Sequence, residues 1–175
     1  RMVQGIMIRT CAHEIVEQMA EHAAIPVING LTDYSHPCQA MADYLTMQEL
    51  KGDVAGLKVA FVGDGNNVCH SLLITGAKLG VSINVATPPG FEPKAEIVED
   101  AQVFARKSGA RIQLFNDALA AVAGAMGPVV GARLGVAAYC FDASDPARLS
   151  VGAPVGVGCP TVKIAAITVG GTRLG

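Results

Sequence analysis

His36 and Gln39 stand three residues apart across Pro37 and Cys38, and Gly63-Asp64-Gly65-Asn66-Asn67 follows an apolar run ending at Val62. An imidazole donates to a carbonyl oxygen and a carboxamide accepts from an amide. At i and i+3 on a helix the two face the same ligand, and a helix start favours an anion. The glycines of the second run permit positive φ and close approach of backbone to a ligand, and the two asparagines add side-chain amides at a helix start. Arg9 directly follows the apolar Ile6-Met7-Ile8. A guanidinium there can hold a phosphate bidentately or polarise a carbonyl. Each residue alone also has an ordinary structural role: Asn66 and Asn67 as helix caps, His36 as a structural imidazole, Arg9 as a surface ion-pair partner. Together they describe a crevice that holds an oxyanion on one side and a zwitterionic amino acid on the other.

The elements that position these residues follow from hydrophobic periodicity. Strands are expected at Ile6–Ile8, Pro26–Asn29, Leu57–Val62, Ile83–Ala86 and Ile112–Phe115. Helices are expected over residues 13–23, with Ile15, Val16, Met19, Ala20 and Ala23 on one face; over Pro37–Leu50, with Met41, Tyr44 and Leu45 as its stripe; over Asn67–Leu79; over 92–107, with Ile97, Val98, Ala101, Phe104 and Ala105 inward; and from 117 to 123. Pro37 suits a first helical turn, because its missing N–H would be unpaired there anyway. Strand–helix alternation with short loops predicts an α/β fold, a parallel sheet with helices on both faces. Ligands in such sheets bind at the carboxyl ends of the strands, where both motifs and Arg9 fall. His13 and His22 read as helix-surface residues and His70 as half-buried packing. Lys51-Gly52-Asp53, polar and glycine-containing, separates two βα patterns.

Residues 125–175 differ in character. They are rich in Gly, Ala and Val, with Asp142 and Asp145 as their acids, and Val136–Phe141, Val151–Val157 and Lys163–Val169 are candidate strands. The 175 residues carry 13 Lys and Arg against 15 Asp and Glu. Without a basic face, general nucleic-acid binding is disfavoured. No stretch reaches the ~18 uninterrupted apolar residues of a membrane span, and the first residues do not read as a signal peptide. The five cysteines, at 11, 38, 69, 140 and 159, form no Cys-x-x-Cys or zinc spacing. They read as reduced thiols of a cytoplasmic protein. Gly63-x-Gly65 lacks the third glycine of a dinucleotide fingerprint, which sets aside a nucleotide-binding oxidoreductase.

Four segments carry a resemblance to a known family. Gly5-Ile6-Met7-Ile8-Arg9-Thr10, Ile28-Asn29-Gly30-Leu31-Thr32-Asp33, His36-Pro37-Cys38-Gln39-Ala40-Met41-Ala42-Asp43-Tyr44-Leu45-Thr46 and Phe61-Val62-Gly63-Asp64-Gly65-Asn66-Asn67-Val68 resemble the ornithine carbamoyltransferases, with family-like spacing from residue 1 to about 124. Aspartate carbamoyltransferases share the His-Pro-x-Gln element but typically lack the paired asparagines. The resemblance implies carbamoyl transfer from carbamoyl phosphate to the side-chain amine of L-ornithine, giving citrulline and phosphate in arginine metabolism. It implies no cofactor and no metal, a parent enzyme that is a homotrimer or a multiple of one, and no nucleic-acid or membrane partner. Carried over by position, Arg9, His36 and Gln39 would bind carbamoyl phosphate, Arg9 and His36 would be catalytic, and Asn67 would hold ornithine.

The implied organisation is a C-terminal remnant of a carbamoyl-phosphate-binding domain plus linking helix over 1–52, part of an ornithine-binding domain over 53–124, and an atypical tail over 125–175. The family's Ser-Thr-Arg-Thr phosphate loop, Ser-Met-Gly loop and His-Cys-Leu-Pro element do not occur in the sequence. The expectation is therefore an incomplete family fold, a fragment whose tail is out of frame, unrelated or disordered, and whose activity alone is open. Two alternatives stand beside it: a carbamoyltransferase for another amine such as putrescine, and a non-catalytic amino-acid-binding module.

Overall fold

The computed structural model describes residues 3–118 and 120–121, together with two short strand segments at 168–169 and 172–173. In chain order the elements are β1 (Ile6–Arg9), α1 (His13–His22), β2 (Val27–Leu31), α2 (Pro37–Lys51), β3 (Lys58–Val62), α3 (Asn67–Lys78), β4 (Ser82–Ala86), α4 (Ala95–Ser108) and β5 (Ile112–Phe115), followed by the antiparallel pair β6 (Thr168–Val169) and β7 (Thr172–Arg173). β1 and β2 pair in parallel as one sheet, and β3, β4 and β5 form a second parallel sheet in that order. The alternation expected from the sequence is thus split between two sheets. The candidate strands at 136–141 and 151–157 lie outside the described residues, and that at 163–169 is described only at Thr168–Val169.

The core belongs to the second sheet. Val59 and Phe61 on β3 and Ile83 and Val85 on β4 point to one face, against Leu72 and Leu73 of α3 and Ile97, Ala101 and Ala105 of α4. Burial of each large side chain there contributes about 1.5–3 kcal/mol. The opposite face carries Ala60 and Asn84, both buried. Asn84 Nδ2 donates to the Ala121 carbonyl at 2.8 Å, so the helical turn at 118–121 lies over that face. Strands covered on both faces read as continuous apolar runs, which is why Leu57–Val62 shows no alternation.

α2 joins the two sheets by packing on α3. Tyr44 is 2% exposed, and its hydroxyl donates to the Leu72 carbonyl at 2.9 Å. Gly76 makes room for it, since a Cβ there would overlap the Tyr44 hydroxyl and meet Ile83 Cδ1. The buried stripe is therefore Ala40–Tyr44 with Met47 beside it, whereas the expected members Met41 and Leu45 are 59% and 55% exposed. Those two lie about 100° around the helix from the contact with α3. α1 likewise buries Val16 alone, and Ile15 and Met19 of its expected face stay exposed. α4 starts at Ala95 rather than 92, because Pro93 is followed by Lys94 in an extended conformation. Among the described residues no helix is long and apolar enough to cross a membrane.

Candidate functional site

β1 ends at Arg9, β2 runs into the loop Thr32–His36, and β3 runs into the glycine turn at Gly63. The loop is built on Thr32, which is fully buried. Its hydroxyl donates to the Ser35 carbonyl at 3.3 Å and accepts from the Ser35 amide at 3.1 Å. With that proton spent, His13 Nδ1, 2.9 Å away, is the donor to Thr32 Oγ1. His13 is thus tied into the loop rather than left on the helix surface, while His22 is exposed and bonds the Gln18 carbonyl of its own helix. Asn29 Nδ2 donates to Ser35 Oγ at 2.9 Å, Cys38 Sγ donates to the Asn29 carbonyl, and the Asp33 amide donates to the Cys11 carbonyl. These bonds fix the loop that presents His36.

His36 is the N-cap residue of α2, and Gln39 lies half-buried in that helix's first turn. The His36 amide donates to Ser71 Oγ of α3 at 2.7 Å. Its Nδ1 is buried without a hydrogen-bond partner. Burial holds its pKa below the ordinary value, and the positive charge of Arg9 pushes in the same direction. Arg9 and His36 therefore sit within electrostatic reach of each other, with Arg9 exposed at the end of β1 and His36 neutral at neutral pH. A neutral imidazole can donate one hydrogen bond to a carbonyl oxygen without pulling in a counter-ion.

The glycine turn behaves differently from the sequence expectation. What approaches Gly65 closely is the chain itself. Its amide donates to the Phe91 carbonyl at 2.8 Å, and a Cβ would overlap the Pro93 backbone nitrogen. Asn66 caps α3, its Oδ1 accepting from the Val68 and Cys69 amides at 3.0 and 3.4 Å. Asn67 turns the other way, and its Nδ2 donates to the Thr32 carbonyl at 2.6 Å. The carbonyl can only accept, which fixes the orientation of the amide. Asn67, His70 and Ser71, at i, i+3 and i+4 on one face of α3, touch Thr32, Tyr34 and His36 in turn.

His70 is 3% exposed, more buried than its sequence context implies, and it bonds both the Tyr34 carbonyl and the Lys94 amide. Tyr34 is held from the other side as well: its hydroxyl donates to Glu96 Oε1 at 3.0 Å and the Lys94 ammonium lies 4.5 Å from its ring centroid. Burial first, and Glu96 second, push its phenol pKa up. Thus Arg9 and His36 come together electrostatically, Gln39 follows His36 on the same helix, and Asn67 joins them through Thr32. Thr32, Tyr34, His70 and Ser71 escape sequence reasoning. The Thr32-x-x-Ser35 spacing and the i+3/i+4 step from Asn67 were their local signals, whereas Lys94 has none.

Known proteins share this arrangement of segments. The carbamoyl-P binding domain of the aspartate/ornithine carbamoyltransferases matches residues 1–49, and the Asp/Orn binding domain of the same family matches residues 55–127. The chain belongs to the aspartate/ornithine carbamoyltransferase family. An ornithine carbamoyltransferase from Carboxydothermus hydrogenoformans is 58% identical over 125 residues, which is 71% of this chain and 40% of that protein. The crystal structure of ornithine carbamoyltransferase from Gloeobacter violaceus superposes with a TM-score of 0.67 at 52% identity, covering 69% of this chain and 42% of that one. The ornithine carbamoyltransferase from Pyrococcus furiosus gives 0.68 at 51% identity, covering 69% and 39%. The chain spans about two fifths of the length of the curated relatives it matches. The family match ends at residue 127, beyond β5.

Proposed function

We propose that this chain carries part of the machinery for transferring the carbamoyl group of carbamoyl phosphate to the side-chain amine of L-ornithine, yielding citrulline and phosphate. The observation that carries the reading is that one face of α3 bonds the His36 amide through Ser71 and the Thr32 carbonyl through Asn67, within a chain whose two portions match the carbamoyl-phosphate and aspartate/ornithine domains of one family. In this reading residues 1–52 are the C-terminal portion of the first domain plus a linking helix, 53–124 are part of the second, and 125–175 are an atypical tail whose first three residues still fall within the family match. Three free cysteines among the described residues support a reducing, cytoplasmic setting. The parent assembly in this reading is a homotrimer or a multiple of one.

The chemistry follows from the groups in place. The neutral amine attacks the carbamoyl carbon, the new C–N bond forms, and the C–O bond to phosphate breaks with the electron pair leaving on phosphate; the amine gives up one proton, which the departing phosphate takes up as hydrogen phosphate. Arg9 and His36 donate to the carbamoyl oxygen as negative charge grows on it, a contribution of about 3–4 kcal/mol for one well-placed donor. Gln39 orients the carbamoyl amide from the same helix start. With one Nδ2 hydrogen committed to Thr32, Asn67 can offer ornithine its carbonyl oxygen, an acceptor suited to an ammonium, and its second Nδ2 hydrogen, a donor suited to a carboxylate. Holding both substrates in line supplies much of the remaining rate.

Calorimetric titration separates the roles. Arg9→Ala and His36→Ala weaken carbamoyl phosphate binding while the fold is kept, and Asn67→Ala weakens ornithine binding more than carbamoyl phosphate binding. Unchanged carbamoyl phosphate affinity in both Arg9→Ala and His36→Ala contradicts the assignment.

A further inference from the structure

His70 has no part in that chemistry, yet it is the most completely tied imidazole of the described residues. Its Nδ1 lies 2.9 Å from the Tyr34 carbonyl, and its Nε2 lies 3.2 Å from the Lys94 amide nitrogen. A carbonyl can only accept and an amide N–H can only donate. The two contacts together therefore require a neutral ring with the proton on Nδ1 and a lone pair on Nε2. The segment it grips on the Lys94 side, Phe91–Lys94, is the same one pressed against Gly65. The segment on the Tyr34 side is the Thr32–His36 loop.

We propose that His70 is a positioning residue that locks the Thr32–His36 loop to the Phe91–Lys94 segment, so that His36 is correctly placed only while His70 is a neutral, Nδ1-protonated imidazole. This rests on the reading of His36 as a carbamoyl phosphate ligand. A second proton on Nε2 would face the Lys94 N–H directly and expel it. The charged neighbours pull in opposite directions: the Lys94 ammonium opposes a second proton, Glu96 and Asp64 favour it, and the Tyr34 phenol stays neutral. Burial is the largest influence and keeps the ring neutral. His36 feels the consequence through two routes, the loop itself and the Ser71 bond one residue further along α3.

The test is NMR of the full chain with 15N-labelled histidine, alongside calorimetric titration with carbamoyl phosphate. Wild-type His70 is expected as the Nδ1–H tautomer at neutral pH. On acidification the Lys94 amide and the Ser35 amide of the loop should move with the midpoint of His70. His70→Asn keeps a donor near the Nδ1 position, and His70→Gln keeps an acceptor near the Nε2 position. Each loses one of the two bonds, and each should shift the His36 ring signals and weaken carbamoyl phosphate about tenfold, the size of one lost buried hydrogen bond. An Nε2–H tautomer overturns the proposal, as do folded variants with unmoved His36 signals and wild-type affinity. If the variants do not fold, the wild-type tautomer and the shared titration midpoint decide. If the wild-type chain binds no carbamoyl phosphate, the functional reading fails, while the His36 signals still report on the lock.

Discussion

Arg9 lowers the proton affinity of His36 from an exposed position, so the pair can be tested without disturbing the core. Arg9→Gln should raise the His36 pKa towards the ordinary 6.5, read by NMR titration of the ring; a fall or no change contradicts the proximity inferred here. His36 and His70 both have folded-state pKa values below 6.5. Between those values and 6.5 the unfolded chain binds more protons than the folded one. Stability is therefore fully present above about pH 6.5 and lost as the pH falls below it. The urea midpoint should drop on going from pH 7.5 to pH 5.5, and by less in His70→Gln, which cannot titrate. At this scale the four candidate residues Arg9, His36, Gln39 and Asn67 stood out in the sequence by their types and spacing, and the family resemblance supplied the roles proposed for them. Thr32, His70 and Ser71 were not, since their work is hydrogen bonding to loops distant in sequence.

At the scale of elements, the turn from β3 to α3 rests on two neighbouring residues with different jobs. Asn66→Ala removes the acceptor of two helix-start amides and should cost about 1 kcal/mol by urea unfolding. Gly65→Ala should cost more, about 1–3 kcal/mol, because the added methyl meets backbone of the Phe91–Pro93 segment rather than a side chain that can rotate away. Equal stability of Gly65→Ala and wild type would contradict that packing. The strands and helices of the second sheet were legible because buried apolar runs and a capped amphipathic helix leave strong patterns. The face of α2 was not. Met41 and Leu45 are as apolar as the residues that pack, and only the presence of α3 beside Ala40 and Tyr44 decides which stripe is covered.

The whole molecule is unevenly covered. Among the described residues, eight of the twelve exposed large hydrophobics lie within the first 50 positions, Met7, Ile28, Met41, Leu45 and Leu50 among them, whereas most of the large buried side chains lie between Val54 and Ala105. Exposed apolar side chains in this number predict self-association. The isolated chain should bind an apolar dye and show concentration-dependent sedimentation. Met41→Glu with Leu45→Glu should reduce both without loss of helix, and unchanged behaviour would place the sticky surface elsewhere. Strand–helix alternation alone does not show the split into two parallel sheets, because the pattern is the same whether consecutive strands pair or part company; the polar Lys51-Gly52-Asp53 segment is what marked the boundary between β1-β2 and β3-β4-β5.

The most direct measurement is 13C NMR titration of 13C-carbamoyl phosphate with the full chain. A carbonyl shift that saturates with protein concentration and is lost in His36→Ala is the expected result. A carbonyl signal that the wild-type chain leaves unmoved, or moves no more than His36→Ala does, would contradict the assignment.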